Sequence, residues 1–187
     1  MHPIVFLVGL HGSGKSTIGR HLAEKHGWSH LSLGDLGRLA RKGKRPCDVS
    51  LRLMVCMAAF RHGQDMPEIT IQAIIGEVLR HANDRPVVCD GFPVIPEHMC
   101  RIPKGSSVIE ITCDNDQREA RLKERELQTL RKWTPGITSL RDSQLPSLQH
   151  AAELAGVTYL KIDNSASNSD MISEVALQIS KLNSVAS

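Results

Sequence analysis

The chain has 187 residues, 41% hydrophobic and 23% charged, with a formal net charge of +3, which is the length and composition of one globular domain. The small positive balance suits a site that meets polyanions but is too weak to argue for nucleic-acid or membrane binding. Five scattered cysteines without a C-x-x-C pair speak against a disulfide framework or a cysteine zinc site, and they fit a reducing, cytoplasmic compartment.

The elements follow in order. Ile4 to Val8 is a continuous apolar run ending at a glycine, the pattern of a buried parallel strand. The apolar stretch Pro3 to Leu10 is too short to span a bilayer and has no basic leader. Ser16 to His26 reads as a helix and Trp28 to Leu33 as a second strand. Helices are expected over Val49 to Arg61 and Ile69 to Ala82, the second entered through Pro67-Glu68. Pro86 to Asp90 and Ser107 to Thr112 are strands. A charged helix over Asp116 to Arg131 follows, broken at Trp133 to Gly136 and resumed from Leu140 to Ala155. Val157 to Ile162 is a fifth strand, and Asp170 to Leu182 an amphipathic closing helix. Strands alternating with helices predict an α/β domain with a five-stranded parallel sheet, whose ligands gather at the carboxyl ends of the strands. Cys89 and Cys113 read as small core residues, and Met54, Met57 and Met66 as helix-borne core filler that is also able to line a base pocket.

Gly9-Leu10-His11-Gly12-Ser13-Gly14-Lys15-Ser16-Thr17 satisfies G-x-x-x-x-G-K-[ST] between a strand and a helix. Glycines let successive backbone N–H groups turn in around a phosphate, and the following helix aims its positive end at the same anion. Lys15 is then expected to reach the β and γ phosphates and the Ser16 hydroxyl to hold Mg²⁺. ATP and Mg²⁺ are the expected cofactors. His11 is a candidate phosphate contact, although a solvent-facing loop residue fits better. Nine histidines form no H-x-x-H or H-E-x-x-H spacing, and aromatics make up only 3% of the chain, which speaks against a histidine metal site and a base-stacking surface without excluding nucleic acid.

Four further stretches make the chain resemble the nucleoside monophosphate kinases, the adenylate kinase and UMP/CMP kinase family. These are Ser32-Leu33-Gly34-Asp35-Leu36-Gly37-Arg38, Gly63-Gln64-Asp65-Met66-Pro67-Glu68-Ile69-Thr70, Asp90-Gly91-Phe92-Pro93, and the helix carrying Arg121 and Arg125. The resemblance implies a P-loop kinase fold with a helical acceptor-binding lobe at about 35–85 and a short lid at about 121–140, within one domain. It implies that Arg38 binds the acceptor phosphate, with Asp35, Met66, Asp90, Gly91, Phe92 and Arg141 at the acceptor. Arg121 and Arg125 would close on the transferring phosphoryl group beside the catalytic Lys15, Asp35 and Asp90, and Asp90 would hold Mg²⁺ through water. Several arginines are reasonable there, because phosphoryl transfer between polyanions is mostly positioning and charge stabilisation.

The departures bear on the acceptor. Val94 follows Pro93 where the family usually has a second phosphate-binding arginine, Ser16 replaces a common glycine, and Leu33 replaces a smaller residue. The 121–140 lid lacks the usual Asp and Arg pattern, leaving Trp133 as packing. Arg141 to Pro146 and Ile162-Asp163-Asn164-Ser165 are more similar to dephospho-coenzyme A kinases. Three readings stay open: a nucleoside or deoxynucleoside monophosphate kinase, a kinase for a non-monophosphate acceptor such as a cofactor precursor, metabolite alcohol or modified DNA base, and a kinase-like switch ATPase with a protein partner. The partner expected is a small phosphate acceptor, and the protein a monomer or dimer.

Overall fold

Every side chain of β1 (Ile4–Val8) is buried, as befits a central strand with helices on both faces. The computed structural model describes residues 1–60, 65–129 and 140–165, together with residues 173, 177 and 179. Four strands join β1, all parallel: β2 (Ser29–Ser32), β3 (Val87–Asp90), β4 (Ser107–Thr112) and β5 (Thr158–Asp163), in the order β2-β3-β1-β4-β5. The helices are α1 (Lys15–His26), α2 (Leu33–Arg41), α3 (Leu51–Ala59), α4 (Glu68–Ala82), α5 (Asn115–Thr129) and α6 (Leu140–Ala155). This is the expected α/β architecture. A short 3-10 helix at Pro96–Arg101 was not foreseen.

The two-residue period of the strands divides the core. Val5, Leu7, Val88, Ile109 and Ile111 face one way, under Ile18 and Leu22 of α1. Ile4, Phe6, Val87, Cys89 and Val108 face the other, under residues such as Leu36, Leu53, Ile74 and Leu148 from α2, α3, α4 and α6. Both faces being covered explains why these strands read as unbroken apolar runs.

Several boundaries shift for local reasons. β2 stops at Ser32, and Leu33 already opens α2, so strand and helix abut without a loop. Trp28 lies outside the strand, buried behind Gly27, whose φ of 70° ends α1. α3 starts at Leu51 because Ser50 caps it, accepting from the Leu53 N–H at 3.3 Å. Cys113, expected in the core, is only half-buried at the end of β4, with its sulfur 3.2 Å from Arg121 Nη1. Met66 is half-buried in the approach to α4 rather than on a helix, whereas Met54 and Met57 fill the core from α3. Gly63, Gln64 and the Trp133 to Gly136 break lie outside the described residues. Of the expected closing helix, the described Ser173, Leu177 and Ile179 are helical.

At the amino ends of the strands, α4 is anchored by a buried polar chain. Glu77 accepts from the Ser50 N–H at 3.1 Å and from Arg80, and His81 is hydrogen-bonded to Ser29 Oγ at 2.6 Å. Burial alone would raise the Glu77 carboxyl pKa, but the bonds from Arg80 and Ser50 outweigh it and leave the pKa lowered. Among the described residues no helix is long and apolar enough to cross a membrane.

Candidate active site

The loop from Gly9 to Lys15 leaves the carboxyl end of β1 and runs into α1. Gly9, Gly12 and Gly14 have φ of 137°, 86° and 98°, values that side-chain-bearing residues rarely adopt. There is also no room for a side chain. A Cβ on Gly9 would strike the Ile111 carbonyl of β4, and one on Gly14 would strike Asn164 Nδ2. Ser13 is buried, and its N–H bonds to the Leu10 carbonyl at 3.2 Å. Lys15 is buried too, its ammonium donating to the carbonyls of Gly9 and Leu10 at 2.7 Å each and to Ser13 Oγ at 3.3 Å. Ser16 is half-buried, while Thr17 and His11 are exposed. A left-handed glycine loop capped by a helix amino end and an inward lysine fits a phosphate chain.

Asp90 ends β3, level with Leu7 of β1 in the sheet register. It therefore stands on the strand next to the one that feeds the loop. Its side chain is almost fully buried, and both oxygens have partners: Ser32 Oγ donates to Oδ1 at 3.2 Å and His30 Nε2 donates to Oδ2 at 2.8 Å. A carboxylate accepts about four hydrogen bonds, so Asp90 keeps capacity for metal-bound water. His30 was not among the residues singled out from sequence. It packs against Gly19 of α1, where a Cβ would come 2.6 Å from its Cδ2. The signal available was the alternation along β2, which puts His30 and Ser32 on one face.

Beyond Asp90, Gly91 has a φ of 107° and Phe92 precedes a cis proline. Phe92 is fully buried, stacked on His98 at 4.9 Å and tilted against Phe6 at 5.9 Å, so its ring supports the turn from inside the core. The Val94 N–H donates to His98 Nδ1 at 3.2 Å. His98 accepts there as a neutral ring, consistent with burial pushing its pKa down.

The expected arginines differ in their engagement. Arg38 is ion-paired with Asp35 on the same turn of α2, both near the cleft end of that helix. Arg121 on α5 donates to Cys113 Sγ and, at 2.9 Å, to the Asn164 carbonyl. In this arrangement it braces the walls of the site. Arg125 is half-buried one turn further along. The side chain of Arg141 lies outside the described residues. Asn164, noted from sequence only within the Ile162 to Ser165 resemblance and given no role there, is buried and donates to the Ser13 carbonyl at 2.8 Å, tying the loop after β5 to the phosphate loop. No group of three or more His, Cys, Asp or Glu able to hold a metal occurs among the described residues; Ser16 and Asp90, the holders of Mg²⁺ expected from sequence, stand at the start of α1 and the end of β3.

This fold and loop define a P-loop kinase, an ATP-dependent phosphotransferase of the class to which its relatives belong. A family model described as an AAA domain matches residues 8–132, and the chain belongs to that family. UMP-CMP kinases and adenylate kinases are relatives at modest identity, which supports a divergent chain similar to the nucleoside monophosphate kinases. It is 28% identical to UMP-CMP kinase 3 of Oryza sativa subsp. japonica over 160 residues, 79% of this chain and 72% of that one. In fold it is similar to a gluconokinase from Sinorhizobium meliloti 1021, with a TM-score of 0.56 at 19% identity over 98% of this chain and 94% of that one. It is also similar to shikimate kinase from Acinetobacter baumannii in complex with shikimate, with a TM-score of 0.52 at 18% identity over 97% and 93% of the two chains.

Proposed function

We propose that the protein transfers the γ-phosphoryl group of ATP to a nucleoside or deoxynucleoside monophosphate. The observation that carries this reading is the meeting of the phosphate loop with the buried Asp90 carboxylate at adjacent strand ends. In this reading the loop amides and Lys15 hold the triphosphate. Ser16 and, through water, Asp90 would hold Mg²⁺, which would supply charge neutralisation to the phosphate chain. Asp35, Arg38, Met66 and the Asp90-Gly91 turn hold the acceptor, while Phe92, expected there from sequence, lies fully buried and braces that turn from inside the core. Arg121, Arg125 and Arg141 converge on the transferring group, Arg121 after leaving Asn164. The acceptor oxygen attacks the γ phosphorus in line, and ADP leaves.

One observation favours a second acceptor class. Val94 brings no cation to the turn, and its N–H is taken by His98, so a second clamp on an acceptor phosphate is missing there. The same fold serves kinases named for gluconate and shikimate, so fold alone does not choose between a monophosphate and an alcohol. Incubation with ATP-Mg and a panel of nucleoside and deoxynucleoside monophosphates, read by mass-resolved chromatography, tests the first reading. A new diphosphate supports it. ADP without any phosphorylated monophosphate rejects it, and a metabolite-extract screen would then separate another acceptor from ATP hydrolysis stimulated by a protein.

A further inference from the structure

ATP-dependent transfer, on which this inference rests, leaves one contact of the loop unexplained. His11 Nδ1 lies 3.3 Å from Asp142 Oδ2 and 3.4 Å from Oδ1, joining the phosphate loop to the first turn of α6. The position of His11 along the loop follows from Lys15. That ammonium, the group that meets β and γ phosphates, is 2.7 Å from the Leu10 carbonyl, immediately before His11. His11 therefore stands at the γ end.

The backbone there is closely confined. A Cβ on Gly12 would come within 2.9 Å of both Arg118 Cγ and Leu122 Cγ on α5, and Arg118 Nη1 reaches the His11 carbonyl at 3.5 Å. The loop tip has little freedom to swing. The imidazole, 45% exposed against 11% for the Asp142 side chain, is free to change partner. A phosphoryl oxygen is an anionic acceptor like a carboxylate, and two anions compete for one N–H donor.

We propose that Asp142 is an anionic placeholder for the γ-phosphate and so sets discrimination between ATP and ADP. His11 gives its Nδ1–H to Asp142 while the γ position is empty and to the γ-phosphoryl group when ATP arrives. ATP must displace the carboxylate and ADP need not, so only the triphosphate releases α6 from the loop. His11 touches the nucleotide. Asp142 is a positioning residue that acts through it.

The test is isothermal titration of a non-hydrolysable ATP analogue and of ADP, both with Mg²⁺, into wild type, Asp142→Asn, His11→Ala and the double variant. Asp142→Asn should tighten the triphosphate about two- to fivefold, the range of a partly exposed ion pair, and leave ADP unchanged. In the His11→Ala background that gain should vanish. In wild-type protein the ¹⁵N signals of the His11 ring should move with the analogue and stay in place with ADP, a readout independent of how the variants fold. Equal effects on both nucleotides, a gain that survives His11→Ala, or ring signals indifferent to the γ-phosphate would each overturn the proposal. Binding of both nucleotides with an unaltered ratio removes only this pair's role. Failure of wild type to bind either removes the kinase reading and the pair's role with it.

Discussion

Gly19→Ala separates a helix effect from a site effect. Inside a helix, alanine is ordinarily about 1 kcal/mol better than glycine. In α1, however, the new methyl would strike His30 Nε2 and come 2.6 Å from its Cδ2, and Nε2 is the atom bonded to Asp90. The ring must move, and a hydrogen bond to a buried carboxylate is lost, at about 1.5–3 kcal/mol. The second effect is the larger, so Gly19→Ala should destabilise by about 1 kcal/mol net. Gly76 supplies the control: it is exposed within α4, with nothing within 4 Å of its Cβ position. Gly76→Ala should therefore stabilise by about 1 kcal/mol, raising Tm by about 2–4 °C at this chain length. Urea unfolding of both variants, of His30→Ala and of the Gly19→Ala/His30→Ala double variant completes the measurement. With the ring truncated the clash is gone, and Gly19→Ala should become stabilising in that background. Equal gains from Gly19→Ala and Gly76→Ala in the wild-type background would refute the packing of His30 between α1 and Asp90.

Other consequences are more direct. Lys15→Ala should lower phosphoryl transfer by at least about 10²-fold, the usual cost of a charge-stabilising donor, with unchanged circular dichroism; activity within tenfold of wild type would remove Lys15 from the chemistry. Glu77, held below its ordinary carboxyl pKa by Arg80 and Ser50 against the effect of burial, contributes stability at neutral pH that is lost as pH falls below about 4.5. Glu77→Gln should be less stable than wild type at pH 7, with the gap closing on acidification, and a constant gap would contradict the assignment. His98 has its pKa lowered, chiefly by burial, so its neutral form stabilises the fold above the unfolded value of 6.5 and that contribution is lost as pH falls through the folded one. A His98→Gln protein should show a flatter decline of stability below pH 6.5, measured by urea unfolding across that range.

The phosphate loop was legible because its chemistry is contiguous: the strand, the three glycines and the lysine occupy adjacent positions, and each residue type has a local reason. The five strands were legible for a related reason, since burial on both faces leaves unbroken apolar runs. Boundaries moved where a neighbour decides them, as at Ser32, where the chain turns directly from β2 into α2. The partners of Asp90 were harder to see. His30, Ser32 and Gly19 belong to a strand and a helix far from Asp90 in sequence, and only the β2–β3 register brings Ser32 level with it. A hint was present in Gly19, a glycine in the middle of a helix, which weakens the helix unless something needs the space.

Arg121 and Asn164 illustrate the opposite difficulty. A charged helix such as α5 presents many arginines of equal standing in sequence, and the partner of each depends on what packs beside it. Arg121 faces Cys113 and the Asn164 carbonyl, and Asn164 in turn holds the Ser13 carbonyl. Three segments distant in sequence thus form one support under the phosphate loop. A nucleotide that draws Arg121 toward its phosphates would loosen that support at the loop's own backbone. In the proposed reading donor binding and loop geometry would therefore be coupled through Asn164, whereas Arg38 on α2 and the turn after Asp90, whose Val94 N–H is taken by His98, would meet the acceptor. The loop motif speaks to the donor because its glycines, lysine and helix amino end all serve a phosphate chain.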